Sequence, residues 1–128
     1  MNTLRAGIHH IEFWVANLEE SISFYNTLFS IIGWRKLNEI AYSTGESEIY
    51  FKEVDEEIVR TLGPRHICYQ AIHREVVEEV ADFLSSTKVK VIRGPIEMNH
   101  YSEGYYTIDF YDPNGFIVEV AYTPNAEM

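Results

Sequence analysis

His10-Ile11-Glu12-Phe13-Trp14-Val15-Ala16-Asn17-Leu18-Glu19-Glu20-Ser21-Ile22-Ser23-Phe24-Tyr25 reads as one strand running into one helix. Ile11, Phe13 and Val15 alternate with His10, Glu12 and Trp14, the period of a strand with one buried face. The strand is taken from Gly7. Asn17 stands where an N-cap belongs, and Glu19 and Glu20 follow in the first turn, where the helix dipole favours acids. Leu18, Ile22, Tyr25, Leu28, Phe29 and Ile32 then recur at helical spacing, which predicts a helix over 18–32 stopped by Gly33.

Outward from this unit, 34–38, 40–44 and 48–54 are short strands separated by polar or glycine turns. An acidic linker over 55–64 follows, and then the pattern starts again. Residues 65–72 read as a strand and 75–86 as a helix with a stripe of Val76, Val77, Val80, Phe83 and Leu84. Residues 89–92 form a strand, 94–104 a polar loop, and 105–111 and 116–122 two strands joined by Asp112-Pro113-Asn114-Gly115, a strong turn signal. A shift of 56 residues lays Gly63 on Gly7, His66 on His10, Ile67 on Ile11 and Leu84 on Leu28. The expected fold is therefore α+β: two βαβββ modules, about 7–54 and 65–122, in one domain over 1–128. Each sheet would have one face under its helix. The other faces would meet in a curved, barrel-like mixed sheet around a cleft.

Alternation assigns residues to that cleft. His10, Glu12 and Trp14 would face it from the first strand, and His66, Cys68 and Gln70 from the repeat. From the last strand, Glu119 would join them. Tyr50, Tyr105 and Asp109 complete an acidic and aromatic wall. Two imidazoles and a carboxylate on three strands are a common ligand set for a divalent metal that keeps positions open for substrate. Taken one at a time, each histidine is better explained by a structural hydrogen bond than by a metal.

Two motifs carry a family resemblance. His10 lies seven residues before Asn17, and a helix with Phe24-Tyr25 follows. Asp112-Pro113-Asn114-Gly115 places Glu119 four residues past its glycine. Together with His66 at the start of the second module, these resemble the glyoxalase/bleomycin-resistance/extradiol-dioxygenase (vicinal oxygen chelate) superfamily over 7–122. The resemblance implies a glyoxalase-like fold and His10, His66 and Glu119 as ligands to Zn, Ni, Mn or Fe. It implies lyase or isomerase chemistry first and dioxygenase chemistry second, on a small oxygenated molecule. Glu12, Asp109 and His100, the last on the 94–104 loop read as a mobile lid, are the candidate proton movers. Glyoxalase I-like sites have a fourth ligand, a carboxylate. Here the repeat places Tyr50 opposite Glu119, with Glu48 two residues off, so three ligands are expected. Basic and threonine residues that would grip a phosphonate or glutathione are not evident. The alternative implied by the same family is a metal-free protein of the bleomycin-resistance type, whose acidic cleft would hold a cationic, planar ligand.

Composition narrows the partners. With 46% hydrophobic residues the chain is too apolar to be disordered, and a net charge of −10 disfavours nucleic acid and anionic lipid. One cysteine cannot form an internal disulfide, which suits a cytoplasmic location. No apolar run is long enough to span a membrane, and the N-terminus lacks the apolar core of a signal peptide. The surplus of aromatic residues and the family resemblance point to a homodimer, either with each cleft shared or with two complete barrels side by side.

Overall fold

The computed structural model describes residues 4, 6–55, 63, 64 and 66–126. The chain runs β1 (His10–Val15), α1 (Leu18–Ile32), β2 (Arg35–Asn38), β3 (Ala41–Ser43), β4 (Glu48–Glu53), β5 (His66–Gln70), α2 (Arg74–Ser85), β6 (Val91–Glu97), β7 (Tyr106–Tyr111) and β8 (Ile117–Tyr122). Most of the acidic linker, 56–62, lies outside the described residues. Each module is a four-stranded mixed sheet with the same wiring, β1-β4-β3-β2 and β5-β8-β7-β6. The first strand pairs parallel with the last, and the remaining pairs are antiparallel.

Local chemistry explains the first unit. The Asn17 side chain accepts the Glu20 amide at 3.0 Å, capping α1. Gly33 ends it in the left-handed region at φ 96°, returning its amide to the Phe29 carbonyl. Ile11 and Phe13 pack against the core and Val15 is fully inside it, while His10, Glu12 and Trp14 are exposed. In the repeat, Tyr69 is buried and Ile67 packs on the core, while His66, Cys68 and Gln70 are exposed. The predicted register therefore holds in both modules.

The two modules share one apolar core. Phe24 of α1 lies 5.4 Å from Phe83 of α2 and 6.3 Å from Phe110 of β7, centroid to centroid, and Phe29 meets Tyr69 edge-on at 5.4 Å. Phe13 reaches Phe116 at 5.2 Å. Polar contacts tie the same seam. The Tyr25 hydroxyl donates to Asp112 Oδ2 at 2.7 Å, Asn114 Nδ2 donates to Ser21 Oγ at 3.0 Å, and the Ala16 amide donates to Asn114 Oδ1 at 2.9 Å. The DPNG turn of module two is thus the joint to module one.

This joint corrects one expectation. The modules meet through their helix-bearing faces, so the two sheets stay separate and do not close a barrel around a cleft within one chain. The histidine-bearing faces open to solvent. Apolar area drives the choice: Phe24, Tyr25, Leu28 and Phe29 are buried completely or nearly so, and Phe24, Tyr25 and Phe29 touch the other module.

A second correction concerns 94–104. The first part is strand, because β6 continues through Gly94 and Pro95 to Glu97. β6 is the edge of its sheet, where a proline needs no amide to donate. The register slips between Arg93 and Ile96, and Gly94 takes φ 99° in the slip. The remaining loop is tied into a compact turn. The Met98 amide donates to the Tyr105 carbonyl at 2.8 Å, the Tyr101 amide to Met98 at 2.9 Å, and the Gly104 amide to Asn99 Oδ1 at 2.8 Å.

Candidate functional site

The open face of module two carries a polar rung across all four strands. Cys68 on β5 is in register with Glu119 on β8, Glu119 with Asp109 on β7, and Asp109 with Arg93 on β6. His66 is two residues before Cys68 on the same face. The 98–105 turn folds over this face and adds Tyr101 and Tyr105. The result is a cleft of about 560 Å³ lined by His66, Ile92, Arg93, Tyr101, Tyr105, Asp109 and Glu119.

Glu119 is its centre. Oε1 lies 3.3 Å from His66 Nε2. Oε2 accepts the Tyr105 hydroxyl and the Thr107 hydroxyl, each at 2.7 Å. Glu119 is 6% exposed, and these donors offset the cost of taking its charge out of water. The same arrangement acts on the neighbours. Burial, and then the hydrogen bond to Glu119, push the Tyr105 phenol well above its usual range. Desolvation, and then the charge of Glu119, push the Cys68 thiol up to about 12. Cys68 therefore stays a neutral thiol at neutral pH and is no nucleophile. Asp109 is held above the usual carboxylate range by burial and by Glu119, with Arg93 pulling the other way.

His10 is not part of this cluster. Its Nδ1 lies 3.0 Å from Nδ1 of His9, and its ring meets Tyr50 edge-on at 5.6 Å. Among the described residues, no three His, Cys, Asp or Glu side chains come together as a metal site within one chain. The expected convergence of three ligands is met for His66 and Glu119 and not for His10, because the modules join through their other faces. Glu12 stands beside Trp14 on the same open face, accepting the indole Nε1 at 2.9 Å. The repeat relation of Tyr50 holds: Tyr50 is in register with Glu12 as Glu119 is with Cys68. Tyr50 donates to Glu48 at 2.6 Å. Gln70 turns to the rim, giving hydrogen bonds to the Ala71 and Ala121 carbonyls. His100 is exposed, its ring tilted at 50° to that of Tyr101 with centroids 4.3 Å apart, but Tyr101 and not His100 lines the cleft.

Arg93 and Thr107 are the residues that sequence reasoning missed. Thr107 sits two positions before Asp109 on β7, so strand parity alone pointed to it. Arg93 faces the cleft with its Nη2 donating to Asp109 Oδ2 at 2.8 Å. The slip beside it in β6 removes the parity that would have announced it.

The Glyoxalase/Bleomycin resistance protein/Dioxygenase superfamily model matches residues 7–120. The chain belongs to that superfamily. Its fold is similar to a Bacillus halodurans protein, a glyoxalase by provisional assignment, with a TM-score of 0.76 at 24% identity over 90% of this chain and 94% of that one. A glyoxalase/dioxygenase from Nostoc punctiforme aligns with a TM-score of 0.70 at 17% identity over 98% and 99% of the two chains. A family enzyme from Burkholderia phytofirmans PsJN gives 0.69 at 14% identity over 92% and 99%. Likeness at such identities shows the fold alone. No curated protein has a significantly similar sequence. No helix of the described residues is long and apolar enough to cross a membrane.

Proposed function

We propose that this superfamily member is a homodimeric, divalent-metal-dependent lyase or isomerase acting on a small oxygenated molecule. The observation that carries the reading is the His66–Glu119 pair, 3.3 Å apart at the floor of a cleft, with Glu119 Oε1 left toward His66 by two donors on Oε2. Two donors do not make a metal site. The third belongs to the open face of module one, where His10 is exposed at the repeat-related position. Two copies arranged so that module one of each covers module two of the other would bring His10 of one copy to His66 and Glu119 of the other. Trp14, 54% exposed, and Ile92, 41% exposed, would then leave water.

The residues present fit such a group: imidazole and carboxylate donors suit Zn, Ni, Mn or Fe(II). A bound metal would supply Lewis-acid polarisation of substrate oxygens. Around it the chain contributes its own chemistry. Asp109, a cleft-lining carboxyl that burial and Glu119 hold above its ordinary value, is a candidate to move a proton there. Glu12, on the facing module, is a second candidate in the assembled dimer. Tyr101 and Tyr105 roof the cleft and exclude water. Dioxygenase chemistry would use the same donors with Fe(II) or Mn.

The rival reading, a metal-free ligand-sequestering dimer, draws support from the His66–Glu119 contact, which already pairs the two donors with one another. Metal analysis of untagged protein together with its mass in solution separates the two. A dimer carrying close to one metal per chain is expected. A dimer that stays metal-free after incubation with each of the four ions would overturn the enzyme reading in favour of sequestration.

A further inference from the structure

We infer that Arg93 anchors a carboxylate of the substrate, so that the cleft selects small carboxylic acids and not the cationic, planar ligands that its acidic and aromatic wall suggests. This rests on the reading of the module-two cleft as the active site and deepens it. Among the described residues, Arg93 is the one permanently charged cation lining the cleft, in a chain of net charge −10. It stands on the edge strand β6, at the end of the rung that runs through Asp109 to Glu119. Two strand spacings, about 10 Å between backbones, separate it from Glu119. An acid of a few carbons can therefore lie on Arg93 at one end and turn another oxygen toward His66 and Glu119 at the other.

The bonding of Arg93 shows spare capacity. A guanidinium has five N–H donors in a fork that matches a carboxylate two oxygens at a time. Asp109 does not take the fork. Only Nη2 and Oδ2 meet, at 2.8 Å, while Arg93 Nε and Asp109 Oδ1 are both buried and have no partner among the described residues. Leaving a buried donor and a buried acceptor unmet is costly. A carboxylate in the cleft can meet the guanidinium N–H groups that Asp109 leaves free on the exposed part of the side chain. The hydrogen bond with Tyr101 and the charge of Asp109 hold the guanidinium in its charged form, while a third of the side chain remains exposed, 32%. Asp109 and Tyr101 are thereby positioning residues for Arg93.

The test compares lactate with lactamide, and malonate with malonamide, by calorimetry and amide chemical shifts on the protein as it assembles in solution. Each acid is expected to bind at least tenfold tighter than its amide, with shifts at Arg93, Thr107 and Glu119. Arg93→Gln should abolish the preference, and Arg93→Lys should keep part of it, having charge without the fork. Thermal midpoints matching the parent show that both variants fold. Equal binding of acid and amide, binding of neither, or an unchanged preference in Arg93→Gln would overturn the proposal. Mn²⁺ titration runs in parallel and should be unaffected by Arg93→Gln. A carboxylate preference without Mn²⁺ binding would leave Arg93 in its role and remove the metal reading. Mn²⁺ binding without the preference would do the reverse.

Discussion

The Tyr25 hydroxyl donates to Asp112 Oδ2 over 2.7 Å, and through this bond the helix of module one holds the signature turn of module two. Asp112 Oδ1 meanwhile accepts the Asn114 and Phe116 amides, both at 2.9 Å. The aspartate of the DPNG motif thus builds its own turn with one oxygen and locks the modules with the other. Its place in the sequence pattern follows from architecture as much as from delivering Glu119.

Tyr25→Phe should therefore loosen the seam. It leaves Asp112 Oδ2 buried without its donor, a loss of about 1–3 kcal/mol. The loss should depend on pH in a definite direction. Burial already holds the Asp112 carboxyl above its ordinary value of 3.8, against the pull of its hydrogen bonds. Its neutral form is thus favoured by folding, so that contribution is complete below the unfolded value and fades as pH rises through the folded one. Removing the tyrosine donor raises the folded value further. Urea midpoints of parent and variant should be closest at pH 4 and furthest apart at pH 8. A difference independent of pH would show that Asp112 does not feel Tyr25.

Gly94→Ala should damage the fold far more than Gly33→Ala, although both glycines have positive φ. A Cβ on Gly94 would stand 2.3 Å from the Thr107 carbonyl oxygen, whereas one on Gly33 meets nothing within 4 Å. At Gly33 the cost is the left-handed backbone alone, about 1 kcal/mol. At Gly94 two backbones must part, so at least about 2 kcal/mol is expected. Because Arg93 is the adjacent residue, Gly94→Ala should also lose the preference for carboxylates. Denaturation midpoints and the lactate titration check both halves.

Much of this fold could be read from local signals. Asn17 and Gly33 bracket α1 because capping is decided within a turn, and the parity of β1, β5 and β8 follows from one buried face on each. β6 could not be read so far, since Gly94-Pro95 signals a loop unless the strand is known to be an edge with a slip in it. Arg93 went unseen for the same reason. His10 and His66 look equivalent in sequence, and they are, but equivalence under the repeat says nothing about whether one chain or two bring them together. That depends on which pair of apolar faces buries first, a long-range choice between the faces of Phe24 and Phe29 and those of Trp14 and Ile92.

Dimer formation has its own signature at Trp14. Its indole N–H donates to Glu12, and the residue is 54% exposed in the lone chain. If module-one faces are covered by a second copy, Trp14 emission should shift to the blue and resist acrylamide as the protein is concentrated. The mass should approach twice the 14.9 kDa of the chain. Trp14→Arg should yield folded monomer with no metal. A Trp14→Arg protein that is still dimeric would place the interface elsewhere.

The sharpest test of the site lies in Thr107, which touches no solvent and is predicted to act only through Glu119. Its hydroxyl donates to Oε2 at 2.7 Å, nearer than the Val120 carbonyl at 3.2 Å. With Tyr105 it fixes one oxygen of the carboxylate and turns the other to His66. Thr107→Val keeps the shape and deletes that donor. If Glu119 is a ligand, supporting bonds of this kind orient it, and their loss typically weakens metal binding tenfold or more. Thr107→Val should therefore lower Mn²⁺ or Zn²⁺ affinity about tenfold, and Thr107→Ser should restore most of it. Glu119→Gln should cost at least as much as Thr107→Val, because it removes the charged donor itself. The two-step order matters more than either value. Were Glu119 merely a structural partner of Tyr105 and His66, both variants would shift the melting temperature and leave metal stoichiometry and affinity where they were.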